Sequence, residues 1–77
     1  MISRLTTREI QILELMTLGY SNVQIAQMLN ITLHTVKAHV QAILYKINVR
    51  NRVQAAVIGC RLLNITPETV QRIKEVK

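Results

Sequence analysis

Two helical patterns separated by a three-residue connector constrain the fold of this chain more than any other feature. The first pattern begins at Ser21, which suits a helix N-cap, with Gln24 at the reciprocal capping position. In the connector, Asn30 suits a turn and Thr32 suits the next N-cap. The second pattern, about Leu33 to Ile47, repeats apolar residues at helical spacing: Val36, Val40, Ile43, Leu44 and Ile47. The spacing predicts two amphipathic helices joined by a tight turn.

Further helical patterns flank this pair on both sides. Thr6 and Glu9 form a capping-box pattern before an apolar run that Gly19 ends. Asn51 suits the cap of a fourth helix, with Gln54 at the reciprocal position, and Thr66-Pro67 suits the start of a short fifth helix. No alternation typical of strands occurs. We therefore expect an all-α fold: a compact four-helix domain containing a helix-turn-helix over residues 1–65, and a helical C-terminal extension over residues 66–77.

The apolar residues of the second and fourth patterns predict the buried sides of those helices. For the second helix the predicted set is Val23, Ile25, Ala26, Met28 and Leu29. For the fourth helix, residues mostly three or four apart give the set Val53, Ala56, Val57, Cys60 and Leu63. Cys60 is the only cysteine, so it excludes an intramolecular disulfide and a multi-cysteine zinc site, and we expect it in the core.

The charge of the chain indicates a polyanionic partner. Ten Lys or Arg stand against four Glu and no Asp, which gives a formal net charge of +6. No acidic residue occurs between Leu15 and Pro67. Two tyrosines are the only aromatic residues, too few for the stacking platforms that bind single-stranded nucleic acid. The chain has neither a signal-peptide pattern nor an apolar run that could span a membrane, so we expect a cytoplasmic location and no membrane partner.

The polar side of the third helix suits contact with DNA. Five residues share that side at helical spacing: His34, Lys37, Ala38, Gln41 and Tyr45. A helix-turn-helix lays its second helix in the major groove, where Lys can donate to guanine, Gln can bond adenine and Ala can meet a thymine methyl group. Arg50 and Arg52 lie in the acid-free stretch and suit phosphate binding.

Four blocks of residues occur in an order that is specific to one family. They are Leu5-Thr6-Thr7-Arg8-Glu9, Gly19-Tyr20-Ser21-Asn22 with Ile25-Ala26, Thr35-Val36-Lys37-Ala38-His39-Val40, and Lys46-Ile47-Asn48-Val49-Arg50-Asn51-Arg52 with Gln54-Ala55. Together they resemble the LuxR-type (GerE-like) helix-turn-helix DNA-binding domain, as in the output domains of NarL/FixJ-type response regulators. The resemblance covers about Leu5 to Leu63. It implies a four-helix fold in which the second and third helices contact DNA and the fourth often mediates dimer contacts.

The resemblance, together with the polar side of the third helix, gives specific residues a role. Base reading is expected of Lys37, Ala38, Gln41 and His34. Phosphate binding is expected of Asn22, Thr35, His39, Lys46, Arg50 and Arg52. The fourth helix is expected to contact a second copy through Val57, Ile58, Arg61 and Leu62. The position of Gln41 is often charged or a smaller polar residue in relatives, so their site preference does not transfer to this chain.

These features favour a transcriptional regulator that binds specific double-stranded DNA, and they argue against an enzyme. No Gly-rich phosphate loop or Ser-His-Asp set can be assembled, and His34 and His39 are five residues apart, which does not suit a metal site. We therefore expect neither metal nor cofactor. A chain without Asp holds no phosphoacceptor, so a signal would come from a linked or separate input domain, and RNA polymerase is a further candidate partner. The alternative is a protein-interaction module that sequesters or modulates a related regulator.

Overall fold

The computed structural model describes residues 4–64, which form four helices and no strand. The helices are α1 (Thr7–Thr17), α2 (Asn22–Leu29), α3 (Leu33–Lys46) and α4 (Arg52–Leu62). The predicted all-α, four-helix fold is therefore confirmed. The fifth helix predicted within residues 66–77, and the domain boundary after residue 65, lie outside the described residues.

The first three helices begin at the predicted capping residues. Thr6 Oγ1 accepts a hydrogen bond from the Glu9 N–H at 3.1 Å, and Glu9 Oε1 accepts one from the Thr6 N–H at 2.9 Å. Ser21 and Gln24 form the same reciprocal pair at the start of α2. The Thr32 hydroxyl caps α3. Because these bonds satisfy N–H groups that a helix leaves free at its first turn, local sequence alone fixes where each helix begins.

The start of α4 differs from the prediction in one bond. Asn51 Oδ1 accepts from the Gln54 N–H at 2.9 Å, as expected of an N-cap. Gln54 Oε1, however, accepts from the N–H of Arg50 at 2.8 Å and not from that of Asn51. The bond from the Arg50 N–H to Gln54 therefore joins the connector between α3 and α4 to the first turn of α4.

Left-handed residues produce the tight turns between helices. Asn30 ends α2 with φ 55° and ψ 48°, and its N–H donates back to carbonyls of the last turn. Asparagine tolerates this conformation better than most residues because its short polar side chain bonds locally. Only Ile31 and Thr32 then separate the cap from α3, so α2 and α3 form the predicted helix-turn-helix unit.

The core contains residues from all four helices. α1 packs against α3 and α4, and α2 packs against α3. The buried apolar residues are Leu5, Ile12, Leu13, Met16, Ile25, Ala26, Val36, Val40, Ile43, Ile47 and Ala55. Four of the five stripe residues predicted on the third helix are among them, and Leu44 packs against the cluster. Burial of this stripe fixes the orientation of α3 and turns its polar side outward.

The predicted buried side of α4 is wrong for Val53 and Val57, whereas Leu63 packs against the core as expected. Val53 is 73% exposed and Val57 is 54% exposed, whereas Ala55 and Gly59 are buried. A Cβ atom on Gly59 would lie 2.5 Å from Cγ2 of Thr17, so any side chain there would force Thr17 or its neighbours to shift. The close approach selects small residues for the interface and leaves the larger valines outside.

Smaller corrections concern α2 and Cys60. Val23 and Met28 of α2 are exposed, while Ile25 and Ala26 carry its burial. Cys60 is a free thiol that is only half-buried, so it lies at the margin of the core and not within it. In both α2 and α4, the face that packs against neighbouring helices is narrower than the apolar residues of the sequence predicted.

Candidate nucleic-acid interface

The first half of α3 presents the four predicted base-reading residues on one surface. His34, Lys37, Ala38 and Gln41 are all exposed, and together they line a shallow groove. The opposite side of the same helix is held in the core. The arrangement therefore presents one cation, one amide, one imidazole and a small methyl group to whatever lies against this helix.

The electrostatics of this surface are uniformly positive. Within residues 4–64, the acidic residues are Glu9 and Glu14, and the one ion pair joins Glu9 to Lys46. Lys37 consequently has no acidic partner in the described part of the chain. An uncompensated cation on an exposed helix face attracts a polyanion, with a strength that falls as salt rises.

A second groove links α3 to the starts of α2 and α4. Its lining consists of Ser21, Asn22, Val23, Leu33, Lys37 and Arg52. Lys37 borders both grooves, so the surface is continuous from the middle of α3 to the first residues of two other helices. The structure thus brings together base-reading and phosphate-binding candidates that lie up to 30 residues apart in sequence.

Arg52 is committed to contacts within the protein. Its guanidinium donates hydrogen bonds to Asn22 Oδ1 and to the main-chain carbonyl of Tyr20. Burial lowers the pKa of Arg52, although a guanidinium remains protonated at any physiological pH. Asn22 uses its oxygen in this contact and keeps its amide nitrogen as a donor. Sequence alone did not indicate this role, because the partners are separated by 30 and 32 residues.

Lys46 is likewise engaged inside the protein. Its Nζ donates to both carboxylate oxygens of Glu9, at 2.8 and 3.1 Å. Glu9 is 5% exposed, so burial alone would raise the pKa of its carboxyl. The hydrogen bonds from Lys46 and the Thr6 N–H, together with the charges of Lys46 and His39, instead hold that pKa below its usual value. The phosphate-binding role of Lys46 and of Arg52 stays a prediction, and these contacts give each of them a structural role.

The other phosphate-binding candidates lie at the edges of the α3 surface. The Thr35 hydroxyl shares a 2.8 Å hydrogen bond with that of Thr32 in the first turn of α3. His39 is half-buried, and Arg50 is exposed in the connector between α3 and α4. Arg50 therefore differs from Arg52, two residues later, in having its side chain in solvent.

The four residues predicted to contact a second copy differ in their exposure. Val57 and Arg61 are exposed, but Ile58 and Leu62 are half-buried and pack against the core. Val53, which the site prediction omitted, is the most exposed valine of the helix. Its spacing of four residues from Val57 is a sequence signal that could have identified the pair. Both line an apolar surface depression together with Val49 and Ile58.

Residues 4–64 contain neither a candidate metal site nor a candidate membrane span. No group of three or more His, Cys, Asp or Glu residues there could hold a metal ion. No helix in that range is long and apolar enough to cross a membrane. Lys37 and the residues around α3 are therefore the clearest candidate site in the described chain.

An exposed, cation-bearing helix held by a short turn against a second helix defines a helix-turn-helix domain of the kind that binds DNA. A family model supports the same assignment: "Bacterial regulatory proteins, luxR family" matches residues 3–59. The chain belongs to this family of DNA-binding transcription regulators, as the sequence resemblance predicted. The family is regulatory and not catalytic.

Individual relatives agree with the family assignment. The chain is 56% identical over 55 residues to the glycerol metabolism activator of Pseudomonas putida, which covers 71% of the chain and 25% of that relative. It is 48% identical over 56 residues to the nitrate/nitrite response regulator protein NarP of Escherichia coli, covering 73% and 26%. It is 55% identical over 53 residues to the transcriptional regulatory protein DegU of Brevibacillus brevis, covering 69% and 22%. The chain thus spans about a quarter of the length of these relatives.

Proposed function

We propose that this chain binds specific sequences of double-stranded DNA by laying α3 in the major groove. The observation that carries the proposal is the surface formed by His34, Lys37, Ala38 and Gln41, which are all exposed on a helix whose other side is buried. A helix of this diameter fits the major groove, where each base pair shows a distinct pattern of donors and acceptors. The minor groove is too narrow for it and carries less sequence information.

Each residue of this surface has a matching base edge. Lys37 can donate to O6 and N7 of guanine, and Gln41 can bond N6 and N7 of adenine with its two amide atoms. Ala38 allows close approach and can contact the methyl group of thymine. His34 lies at the start of α3 and can bond a base at the edge of the site.

Phosphate contacts fix the position of α3 in the groove. We assign direct contacts to Asn22, Thr35, His39 and Arg50, which lie around the α3 surface and have a donor or a cation to offer. Lys46 donates its hydrogen bonds to Glu9, and Arg52 donates to Asn22 and Tyr20. Their part is to hold the helices in place while their charges still attract the backbone.

A second copy of the chain binds through the outer side of α4. Val53 and Val57 are exposed apolar residues on adjacent turns, and Val49 and Ile58 continue the same surface. A twofold-symmetric dimer would pair these valines and place two α3 helices on DNA, so the target would contain two half-sites. Arg61 lies on the exposed side of the same helix, whereas Ile58 and Leu62 contribute only their outer edges.

The regulatory context follows from the relatives. They include response regulators, and the chain matches about a quarter of their length. We propose that the chain is an output domain of the bacterial cytoplasm, which receives its signal from a linked or separate input domain and acts on RNA polymerase at a promoter. The described residues hold no Asp, so the phosphoacceptor of such a system would lie elsewhere.

A second candidate is a protein-interaction module that sequesters or modulates a related regulator. The exposed valines of α4 favour it, because they could pair with the same helix of a relative. An electrophoretic mobility assay at moderate salt distinguishes this module from the DNA-binding regulator. A module of this kind would form a stable complex with a related regulator and would shift no DNA in an electrophoretic assay.

The proposal is tested by selecting bound sequences from random duplexes and then mapping contacts by dimethyl sulfate protection. Dimethyl sulfate methylates N7 of guanine in the major groove, which is the atom that Lys37 is proposed to contact. We expect an enriched motif with a protected guanine in each half-site. Enrichment without such protection would contradict the contact between Lys37 and guanine, and no enrichment would favour the interaction module.

A further inference from the structure

A third groove lies at the C-terminal end of α3, and two of its residues, Arg4 and Tyr45, have so far been given no function. It is lined by Arg4, Leu44, Tyr45, Lys46, Asn48 and Val49. Tyr45 is 80% exposed, which is more than any other large apolar or aromatic residue among the described ones. The ring and the hydroxyl of Tyr45 are therefore open to a ligand outside the protein.

Tyr45 lies on the same side of α3 as the base-reading residues. His34, Lys37 or Ala38, Gln41 and Tyr45 follow one another at spacings of three or four, so they form a single line along the helix. His34 and Tyr45 are eleven residues apart, or about 16 Å along the axis. The major groove is about 12 Å wide. A helix that crosses the groove with Lys37 and Gln41 over the bases therefore brings Tyr45 to the far wall, where the sugar-phosphate backbone runs.

The chemistry of this groove matches that backbone. Arg4 is exposed, and Tyr45 adds a phenolic hydroxyl that can donate to a phosphate oxygen. Asn48 offers a side-chain amide from the left-handed residue that follows α3. Lys46 is paired with Glu9, so the cation left for an outside ligand is Arg4. No acidic side chain lines the groove.

We propose that Arg4 and Tyr45 form a second phosphate site, which binds the DNA strand opposite to the one contacted near Asn22 and Thr35. The inference rests on the placement of α3 in the major groove under the proposed function. With one site at each end of α3, the helix is held against both walls of the groove. Base recognition by Lys37 and Gln41 then depends on contacts with the DNA phosphates, which carry no sequence information of their own.

The test measures affinity for the selected duplex over a range of salt concentrations, using the whole chain and four variants. Arg4→Gln removes the charge, and Arg4→Lys is its matched control because it keeps the charge. Tyr45→Phe removes only the hydroxyl, and Lys37→Ala reports on base reading. Far-UV circular dichroism confirms that each variant is folded.

The proposal predicts a distinct result for each variant. Arg4→Gln should reduce the slope of log affinity against log salt by about one, while Arg4→Lys keeps the slope. Tyr45→Phe should weaken binding about tenfold. None of these three variants should change the preferred sequence, whereas Lys37→Ala should relax it.

A chemical change in the DNA identifies the phosphates concerned. Single phosphates at the edge of the motif are replaced by neutral methylphosphonates. At one or two of these positions, the replacement should weaken DNA binding by the wild-type chain and leave DNA binding by Arg4→Gln unchanged. If Arg4→Gln and Tyr45→Phe bind as the wild type does while Lys37→Ala loses preference, the second phosphate site is wrong and the proposed function stands. If they change the preferred bases, or lower only the cooperativity of two copies, the groove serves base reading or protein contact instead.

Discussion

Asn22, the first residue of α2, accepts a hydrogen bond from Arg52, the first residue of α4. The same guanidinium donates to the carbonyl of Tyr20, so one half-buried arginine holds both α2 and the turn before it. Because α2 packs against α3, the position of α3, the proposed base-reading helix, depends on α4. If α4 also forms the dimer contact, the same helix takes part in pairing two copies and in positioning α3.

Arg52→Gln should lower the free energy of unfolding by about 1–3 kcal/mol, because it removes two hydrogen bonds made by a partly buried cation. Urea denaturation measures this change. Arg50→Gln is the matched control, since it removes the same charge from an exposed side chain two residues earlier. It should change stability by less than about 0.5 kcal/mol while weakening DNA binding. Equal losses of stability in both variants would contradict the positioning role of Arg52.

The pair formed by Glu9 and Lys46 predicts a pH dependence of stability. The folded-state pKa of Glu9 is below its ordinary value of 4.5, so ionised Glu9 stabilises the fold above that pH. The stabilisation should be lost as pH falls below 4.5 and through the lowered pKa. Glu9→Gln should lower the free energy of unfolding by about 1–3 kcal/mol at neutral pH and flatten this acid limb of the stability curve.

Glu14→Gln is the control for that measurement. Glu14 is an exposed glutamate on the same helix, and its side chain takes no part in the helix caps. Its replacement should leave the acid limb unchanged. If the two variants gave the same stability at every pH, the contact between Glu9 and Lys46 would have no energetic role in the fold.

Gly59 marks the closest approach between α1 and α4. Gly59→Ala should destabilise the chain by about 1–3 kcal/mol, since the added Cβ would meet Thr17 at 2.5 Å and Leu13 at 3.0 Å. Thermal or urea unfolding measures the change. Cys60→Ala, at the next and half-buried position, should cost clearly less. A stabilised Gly59→Ala variant would show that helix propensity outweighs the contact and that the two helices can separate at little cost.

The parts of the fold that local chemistry determines were predictable from sequence. The caps at Thr6, Ser21 and Thr32 follow from hydroxyl residues immediately before a helix, and the buried stripe of α3 follows from spacing. The outward turn of Val53 and Val57 was not predictable, because it results from the contact of Gly59 with a different helix.

The candidate site divides in the same way. The exposed side of α3 around Lys37 could be predicted, since it lies opposite an apolar stripe on one helix. The internal partners of Lys46 and Arg52 could not. Lys46 and Glu9 are 37 residues apart, and no local pattern distinguishes a cation that faces DNA from one that holds two helices together.

The exposed valines of α4 predict dimerisation. Val57→Glu should leave the unfolding free energy of the monomer within about 0.5 kcal/mol, because Val57 is 54% exposed. It should abolish association of two copies by placing like charges opposite each other. Sedimentation equilibrium with and without a two-half-site duplex measures both states. A wild-type chain that stays monomeric even on DNA would remove α4 as a dimer helix.

The central claim is that α3 reads bases through Lys37, and selection from random duplexes tests it most directly when the wild type and Lys37→Ala are compared in parallel. We expect the wild type to enrich a motif with a defined guanine, and Lys37→Ala to lose that one position while it keeps the others. The expected loss of affinity for the wild-type motif is about 1–3 kcal/mol. An unchanged motif bound with unchanged affinity would contradict the assignment of α3 as the base-reading helix.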